Sequence, residues 1–159
     1  MLIRPATADD WASIHPFFAE IVAAGETYAY PEGLTSEQAE ALWMVQHRVV
    51  VAEEDGRVLG SATMGPNRPG RGSHVATASF MVDGAARGAG VGRALGEHML
   101  AWAQDAGYRA VQFNAVVETN TGAVRLWRSL GFEVVGTVPE AFDSRAHGLV
   151  GLHVMHRSL

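Results

Sequence analysis

The stretch FMVDGAARGAGVGRALGEHML, residues 80–100, lies between a strand-like run and a helix-like run, yet five of its residues are glycine. Glycine is unfavourable in the interior of both elements. The first N–H groups of the helix that follows have no partner within the helix, and its dipole places partial positive charge there. Glycines at the turn let a phosphate group come close to these N–H groups. The stretch therefore predicts a strand–turn–helix unit that binds a polyphosphate.

Three phosphate-binding patterns resemble this turn. A dinucleotide-binding turn requires a βαβ unit and an acidic residue about 20 positions further on, but a hairpin precedes this strand and residues 108–112, YRAVQ, contain no acid. A P-loop requires Lys-Ser/Thr after its last glycine, whereas Arg93 follows Gly92. The third pattern, Arg/Gln-x-x-Gly-x-Gly/Ala, is met by Arg87, Gly90 and Gly92. A glycine-rich turn without a ligand is the remaining alternative.

Length and composition limit the classes of protein to consider. The 159 residues predict a single domain over 1–159, and the net charge of -5 without a basic stripe argues against nucleic-acid binding. The absence of cysteine excludes disulfides, a thiol nucleophile and thiolate metal sites, and no metal site is predicted. The sequence shows neither a signal peptide nor a membrane-spanning run, so we expect a cytoplasmic protein that does not bind membranes.

Hydrophobic periodicity and turn signals predict the element order β-α-α-β-β-β-α-β-α-β-β. The predicted strands are Leu2–Pro5, His47–Glu53, Val58–Met64, His74–Val82, Ala110–Val117, Phe132–Val138 and Gly148–Arg157. The predicted helices are Ala8–Ala24, Thr35 or Ser36 to Gln46, Gly90–Ala106, and Asn120 or Thr121 to Leu130.

Two motifs, FMVDGAARGAGVGRAL and ETNTGAVRLWRSLGFEVVG, together with this element order, resemble the GNAT superfamily of N-acetyltransferases over nearly the whole chain. The second motif is similar to that family's Asn-x-x-Ala-x-x-Leu-Tyr-x-x-x-Gly-Phe segment, with Asn120, Ala123, Leu126, Gly131 and Phe132 in register. The resemblance implies an α/β (α+β) GNAT acyl-CoA N-acyltransferase fold. Such a fold has a mixed, mostly antiparallel central sheet with splayed fourth and fifth strands, and about four helices.

The resemblance also implies that acetyl-CoA is the cosubstrate. Its pantetheine arm would pair with the splayed fourth strand, and its pyrophosphate would bind the turn before the third helix. The residues that would contact acetyl-CoA are then Phe80, Met81, Val82, Arg87, Gly88, Ala89, Gly90, Val91, Gly92, Arg93, Asn120, Ala123 and Trp127.

The sequence offers several candidates for the catalytic groups. The backbone N–H near Val82 is the expected donor to the oxyanion of the tetrahedral intermediate. GNAT enzymes usually protonate the leaving thiolate with a tyrosine, but Trp127 stands at that position, and indole has no proton to give at neutral pH. Trp127 either packs on pantetheine or is a core aromatic. The base is a water relay or one of the side chains Glu26, Glu118 and His74.

The acceptor side is predicted from a narrower resemblance. SHVATASFMV, GAARGAGVGRALGE and FNAVVETN are similar to the subgroup that includes the fungal acetyltransferase of azetidine-2-carboxylate, a proline analogue. Thr77 stands where that subgroup has asparagine. Asn114 either holds the acceptor or serves its strand neighbours, and Tyr28 and Tyr30 either shape the acceptor pocket or pack on the surface.

We therefore expect acetyl transfer to the amine of a small metabolite, favouring an amino acid or analogue. The alternatives are a protein or peptide N-acetyltransferase and a CoA-binding sensor that has lost catalysis. Homodimerisation is a further expectation of the resemblance.

Overall fold

A computed structural model describes residues 1–45 and 47–159. The strands are β1 (Leu2–Pro5), β2 (Arg48–Glu54), β3 (Arg57–Pro66), β4 (Val75–Val82), β5 (Ala110–Val117), β6 (Glu133–Ser144) and β7 (Gly148–Ser158). The helices are α1 (Trp11–Ala24), α2 (Ser36–Trp43), α3 (Val91–Asp105) and α4 (Thr121–Ser129).

Within the described residues the strands form one seven-stranded sheet in the order β1-β2-β3-β4-β5-β7-β6. Every neighbouring pair is antiparallel except β4 and β5, which are parallel. A parallel pair needs a crossover, and α3 supplies it. The arrangement confirms the predicted mixed, mostly antiparallel sheet and the four helices.

Hydrophobic cores lie on the two faces of the sheet, because successive strand side chains point to opposite faces. One core, on the face covered by α3 and α4, includes Leu95 and Trp127. The other, on the face covered by α1 and α2, includes Phe18 and Trp43. No described helix combines the length and the apolar character that crossing a membrane requires.

The first helix begins later than predicted. Residues 8–10 form a 3₁₀ turn, and α1 begins at Trp11. The Asp10 carboxylate accepts hydrogen bonds from the Thr7 N–H at 2.7 Å and from the Arg4 guanidinium at 2.8 Å. The Arg4 guanidinium lowers the pKa of Asp10 to about 2. This ion pair ties β1 to the start of the helix.

Two further boundaries differ from the prediction. α2 ends at Trp43, and its predicted end, Gln46, lies outside the described residues. β6 continues to Ser144, although the sequence PEAFDS after Val138 is not strand-like. Its pairing with β7 shifts between Val138 and Phe142 and then resumes. These residues are a strand because they pair with β7. A local sequence pattern does not reveal such a partner.

Gly60 marks a point where α3 lies very close to the sheet. A Cβ atom there would be 2.9 Å from the Met81 carbonyl oxygen and 2.9 Å from Val91 Cγ1. We expect Gly60→Ala to lower the free energy of unfolding by about 1–3 kcal/mol through overpacking, as measured by equilibrium urea denaturation. The matched control is Gly136→Ala on β6, where a Cβ would meet nothing within 4 Å. Equal effects of the two substitutions would show that the close approach does not limit the packing.

Candidate active site

The fourth and fifth strands separate soon after they meet. In the described part of the chain, β4 and β5 pair only at Val75 with Ala110 and at Ala76 with Val111. Both strands nevertheless run on to their ends at residues 82 and 117. They leave a gap in the middle of the sheet, which confirms the predicted splay.

The backbone of β4 is arranged to use this gap. The Asp83 N–H donates to the Leu59 carbonyl on β3 at 2.9 Å. Because alternate residues of a strand direct their backbone groups to the same side, Ala78, Phe80 and Val82 direct theirs away from β3 and towards the gap. Unpaired backbone groups need partners, so this edge is suited to an extended ligand.

The backbone of Phe80 already has a partner in the gap. Tyr28, in the loop between α1 and α2, donates its hydroxyl to the Phe80 carbonyl at 2.6 Å and accepts the Phe80 N–H at 2.9 Å. The Tyr28 ring stacks on Tyr30 with centroids 5.4 Å apart. Burial raises the pKa of Tyr28, so its hydroxyl stays protonated at neutral pH. A ligand in the gap therefore meets the backbone of Ala78 and Val82 on either side of an occupied Phe80.

A cleft of about 830 Å³ follows the gap through the sheet. Thirteen of the predicted site residues line it: Glu26, Tyr28, Tyr30, Thr77, Phe80, Met81, Val82, Arg87, Gly92, Asn114, Asn120, Ala123 and Trp127. The other predicted residues lie outside its lining: His74, Gly88, Ala89, Gly90, Val91, Arg93 and Glu118.

The turn before α3 has the backbone of an anion site. Gly88 and Gly90 both have φ of +81°, a conformation that glycine adopts without strain. Gly90 caps α3 without a side chain, and the Ala94 N–H donates to its carbonyl at 3.0 Å. The N–H groups of residues 91–93 precede that bond and have no acceptor inside the helix. They are positioned to bind a phosphate group.

The two arginines of this turn are held differently. Arg93 donates to Ser129 Oγ at 2.7 Å and pairs with Glu97 at 3.4 Å, so its guanidinium rests on α4. Arg87 is exposed and lines the cleft. Arg87 can thus reach a ligand in the cleft without breaking an ion pair, whereas the predicted contact of Arg93 with acetyl-CoA would compete with its bonds to Ser129 and Glu97.

Asn120 joins the cleft to α4. Its Oδ1 accepts the Ala123 N–H at 3.3 Å and caps the helix, and its own N–H donates to the Val117 carbonyl at 2.9 Å. The cap uses only the carbonyl oxygen of the side chain. The amide NH₂ group therefore remains as a donor for a ligand.

Trp127 belongs mainly to the core. Its ring centroid lies 4.7 Å from that of Phe80 and 4.8 Å from that of Phe113, and only 6% of the residue is exposed. One part of it lines the cleft. Both interpretations of Trp127 made from the sequence are therefore compatible with its position.

A sequence model of the acetyltransferase (GNAT) family matches residues 14–132. The chain belongs to this family. A GCN5-related N-acetyltransferase from Kribbella flavida is 64% identical, with a TM-score of 0.96 over 99% of this chain and 97% of that one. The yncA protein of Salmonella typhimurium, solved with acetyl-CoA, is 26% identical, with a TM-score of 0.86 over 100% of this chain and 94% of that one.

A curated relative covers less of the chain. The N-acetyltransferase aca1 of Schizosaccharomyces pombe is 36% identical over 90 residues, which are 57% of this chain and 43% of that protein. The match thus spans less than half of the length of aca1. Acetyl-CoA is the cosubstrate of GNAT acetyltransferases, as predicted. The resemblance to the azetidine-2-carboxylate subgroup is not confirmed.

Two candidate bases of this GNAT domain are not brought to the gap. The Glu118 carboxylate accepts the Gly151 N–H at 2.5 Å and is directed to β7. His74 precedes the paired end of β4, where its carbonyl accepts the Arg109 N–H at 2.9 Å. Neither lines the cleft. Their catalytic roles stay predictions without support from the geometry.

Asn114 is exposed, although it stands in the apolar run VQFNAVV of β5. It lies where the pairing of β5 with β7 shifts between Phe113 and Val116. Its Oδ1 accepts from Gln112 Nε2 at 2.9 Å, and its Nδ2 donates to Asn67 Oδ1 at 2.6 Å. The amide therefore serves its neighbours, and one of its two N–H bonds remains for a ligand.

The hairpin between β6 and β7 adds residues that were not predicted. The Ser144 hydroxyl donates to Glu26 Oε2 at 2.6 Å, and the Ala146 N–H donates to Glu26 Oε1 at 2.7 Å. These bonds, the Ser144 bond above all, lower the pKa of Glu26. They also place His147 in the lining of the cleft. No local pattern links residues more than a hundred positions apart, so only Glu26 was a candidate from the sequence.

We expect Gly90→Val to weaken acetyl-CoA binding by about tenfold or more, because a side chain at φ +81° costs about 1–3 kcal/mol. The strain should move the N–H groups of residues 91–93, which are the predicted phosphate donors. Isothermal titration calorimetry measures the change. Gly107→Val is the matched control, since Gly107 has φ of +80°, open surroundings and a place just after the other end of α3. Equal losses of affinity in both variants would contradict a phosphate site at this turn.

We expect Tyr28→Phe to lower the free energy of unfolding by about 1–3 kcal/mol, because both backbone groups of Phe80 lose their partner. Thermal and urea denaturation of the ligand-free protein measure the loss. Tyr30→Phe is the control, since no described residue hydrogen-bonds the Tyr30 hydroxyl. A Tyr28→Phe protein as stable as the control would mean that water satisfies Phe80 equally well.

Proposed function

We propose that this protein transfers the acetyl group of acetyl-CoA to the amine of a small metabolite, and that the acceptor is an amino acid or an amino-acid analogue. The observation that supports transfer is the gap between β4 and β5, which continues from the anion-binding turn before α3 to the loop between α1 and α2. Acetyl-CoA bound along this gap would present its thioester to an acceptor that enters from the other end.

The enclosure of the acceptor end supports a small acceptor. The Arg145 N–H donates to the Gly25 carbonyl at 3.1 Å, and the Arg145 guanidinium pairs with Glu32 at 2.5 Å. Together with the Glu26 bonds, these contacts fasten the β6–β7 hairpin to the loop between α1 and α2. Both segments line the cleft. Because they are bonded to each other there, the site favours a compact amine over a folded protein surface.

In the proposed reaction the two substrates meet in a ternary complex. The neutral amine attacks the thioester carbonyl, and a β4 backbone N–H, such as that of Val82, stabilises the oxyanion. Collapse of the intermediate breaks the C–S bond and releases the CoA thiolate. Tyr28 does not replace the family's tyrosine acid in this scheme, because its hydroxyl already donates its hydrogen to the Phe80 carbonyl. The thiolate leaves without its help.

A CoA-binding sensor remains the rival function, since Trp127 replaces the usual acid. Acetylation of peptides is the rival enzymatic function.

A homodimer and a cytoplasmic location also stay predictions. The dimer is supported by the exposed apolar side chains of Val135, Val138 and Leu149 on the last two strands.

The experiment is thiol release from acetyl-CoA across proline analogues, common amino acids, polyamines and a short peptide. We expect turnover with one class of small amine. Asn114→Ala should raise KM about tenfold for an amino acid but not for its decarboxylated amine, because a lost hydrogen bond to a charged group costs about 1.5–3 kcal/mol. Binding of acetyl-CoA without turnover would favour the sensor. Turnover with the peptide alone would favour the peptide acetyltransferase.

A further inference from the structure

The acceptor end of the cleft contains few groups that can carry a proton. Among the described residues that line the cleft, the ionisable side chains are those of Glu26, Tyr28, Tyr30, Arg87 and His147. Burial raises the pKa of both tyrosines, and hydrogen bonds lower the pKa of Glu26. An arginine side chain stays protonated in proteins. The remaining member of this set is His147, and histidine is the side chain that most often acts as a general base in enzymes.

His147 has a fixed place beside the Glu26 carboxylate. The His147 N–H donates to Ser144 Oγ at 3.1 Å, and Ser144 Oγ donates in turn to Glu26 Oε2 at 2.6 Å. Ser144 is only 2% exposed. The backbone of His147 is therefore held by a buried hydroxyl whose other bond reaches across to the loop between α1 and α2.

We propose that His147 is the catalytic base that takes a proton from the acceptor amine, and that Ser144 and Glu26 are its positioning residues. This inference rests on the proposed acetyl transfer and assigns its base. It differs from the candidates Glu118 and His74, which lie outside the cleft.

The proton balance of the step is simple. The acceptor arrives as an ammonium ion and loses one proton to the imidazole. Its nitrogen lone pair then forms the C–N bond to the thioester carbonyl carbon, and the C–S bond breaks with its electron pair on sulfur. The second nitrogen proton is carried by solvent to the CoA thiolate, and the imidazolium releases its proton to water.

The charges around His147 favour this role. Glu26 faces it from the loop between α1 and α2, and Arg145 lies in the same turn. Arg145 is paired with Glu32 at 2.5 Å, so its charge is balanced. The Glu26 carboxylate remains to attract a cationic acceptor towards this end of the cleft.

The test compares His147→Gln with the wild-type protein in kcat/KM for the acceptor from about pH 5 to 9. We expect a loss of about a hundredfold or more, the usual range for a general base, with unchanged affinity for acetyl-CoA. Added imidazole should restore part of the rate. The loss should shrink for an acceptor amine of low pKa, which is already neutral. Glu26→Gln should lower kcat/KM more for a cationic acceptor than for an acceptor amine of low pKa, since it removes the negative charge that attracts an ammonium ion.

His153→Gln is the matched control. His153 lies on β7 outside the lining of the cleft, with its Nδ1 2.7 Å from Thr137 Oγ1. Full activity of His147→Gln, or an equal loss for acceptors of low and high pKa, would overturn the assignment of the base. A wild-type protein that binds acetyl-CoA but acetylates no amine would overturn the proposed function itself, and the inference with it.

Discussion

The pairing of β4 with β5 ends after two residues on each strand, and the candidate site depends on this early end. A sheet that continued to pair would use up the backbone groups of Ala78, Phe80 and Val82. Because it does not, the centre of the domain offers strand-like donors and acceptors to a ligand. The same divergence lets the cleft pass from the helix N-terminus of α3 to the opposite face of the sheet.

Two contacts over long sequence distances control this opening. Tyr28 hydrogen-bonds both backbone groups of Phe80, so these groups have a partner although no strand pairs with β4 at this point. Glu26 fastens the β6–β7 hairpin across the acceptor end. Both residues lie in the loop between α1 and α2. That loop therefore binds the β4 edge of the gap through Tyr28 and the β6–β7 hairpin through Glu26. The shape of the acceptor site thus depends on the same loop as the separation of β4 from β5.

The sequence predicted the parts of the fold and site that depend on local chemistry. The glycines at 88 and 90, the cap at Asn120 and the order of the elements are local patterns, and the structure has them where they were expected. The extension of β6 and the place of His147 depend on partners far away along the chain. The exposure of Asn114 could not be predicted either, because the apolar run around it gives no sign of the shift in pairing between Phe113 and Val116. The family is settled by the match over residues 14–132.

Amide hydrogen exchange of β4, followed residue by residue with and without acetyl-CoA, measures whether the open edge of this strand receives the cosubstrate. We expect the Ala78 and Val82 amides to exchange fast in the free protein and to become protected when acetyl-CoA binds. The Ser79 and Met81 amides, which face β3, should be protected in both states. Binding of acetyl-CoA that leaves Ala78 and Val82 unprotected would contradict the claim that the open edge of β4 receives the cosubstrate.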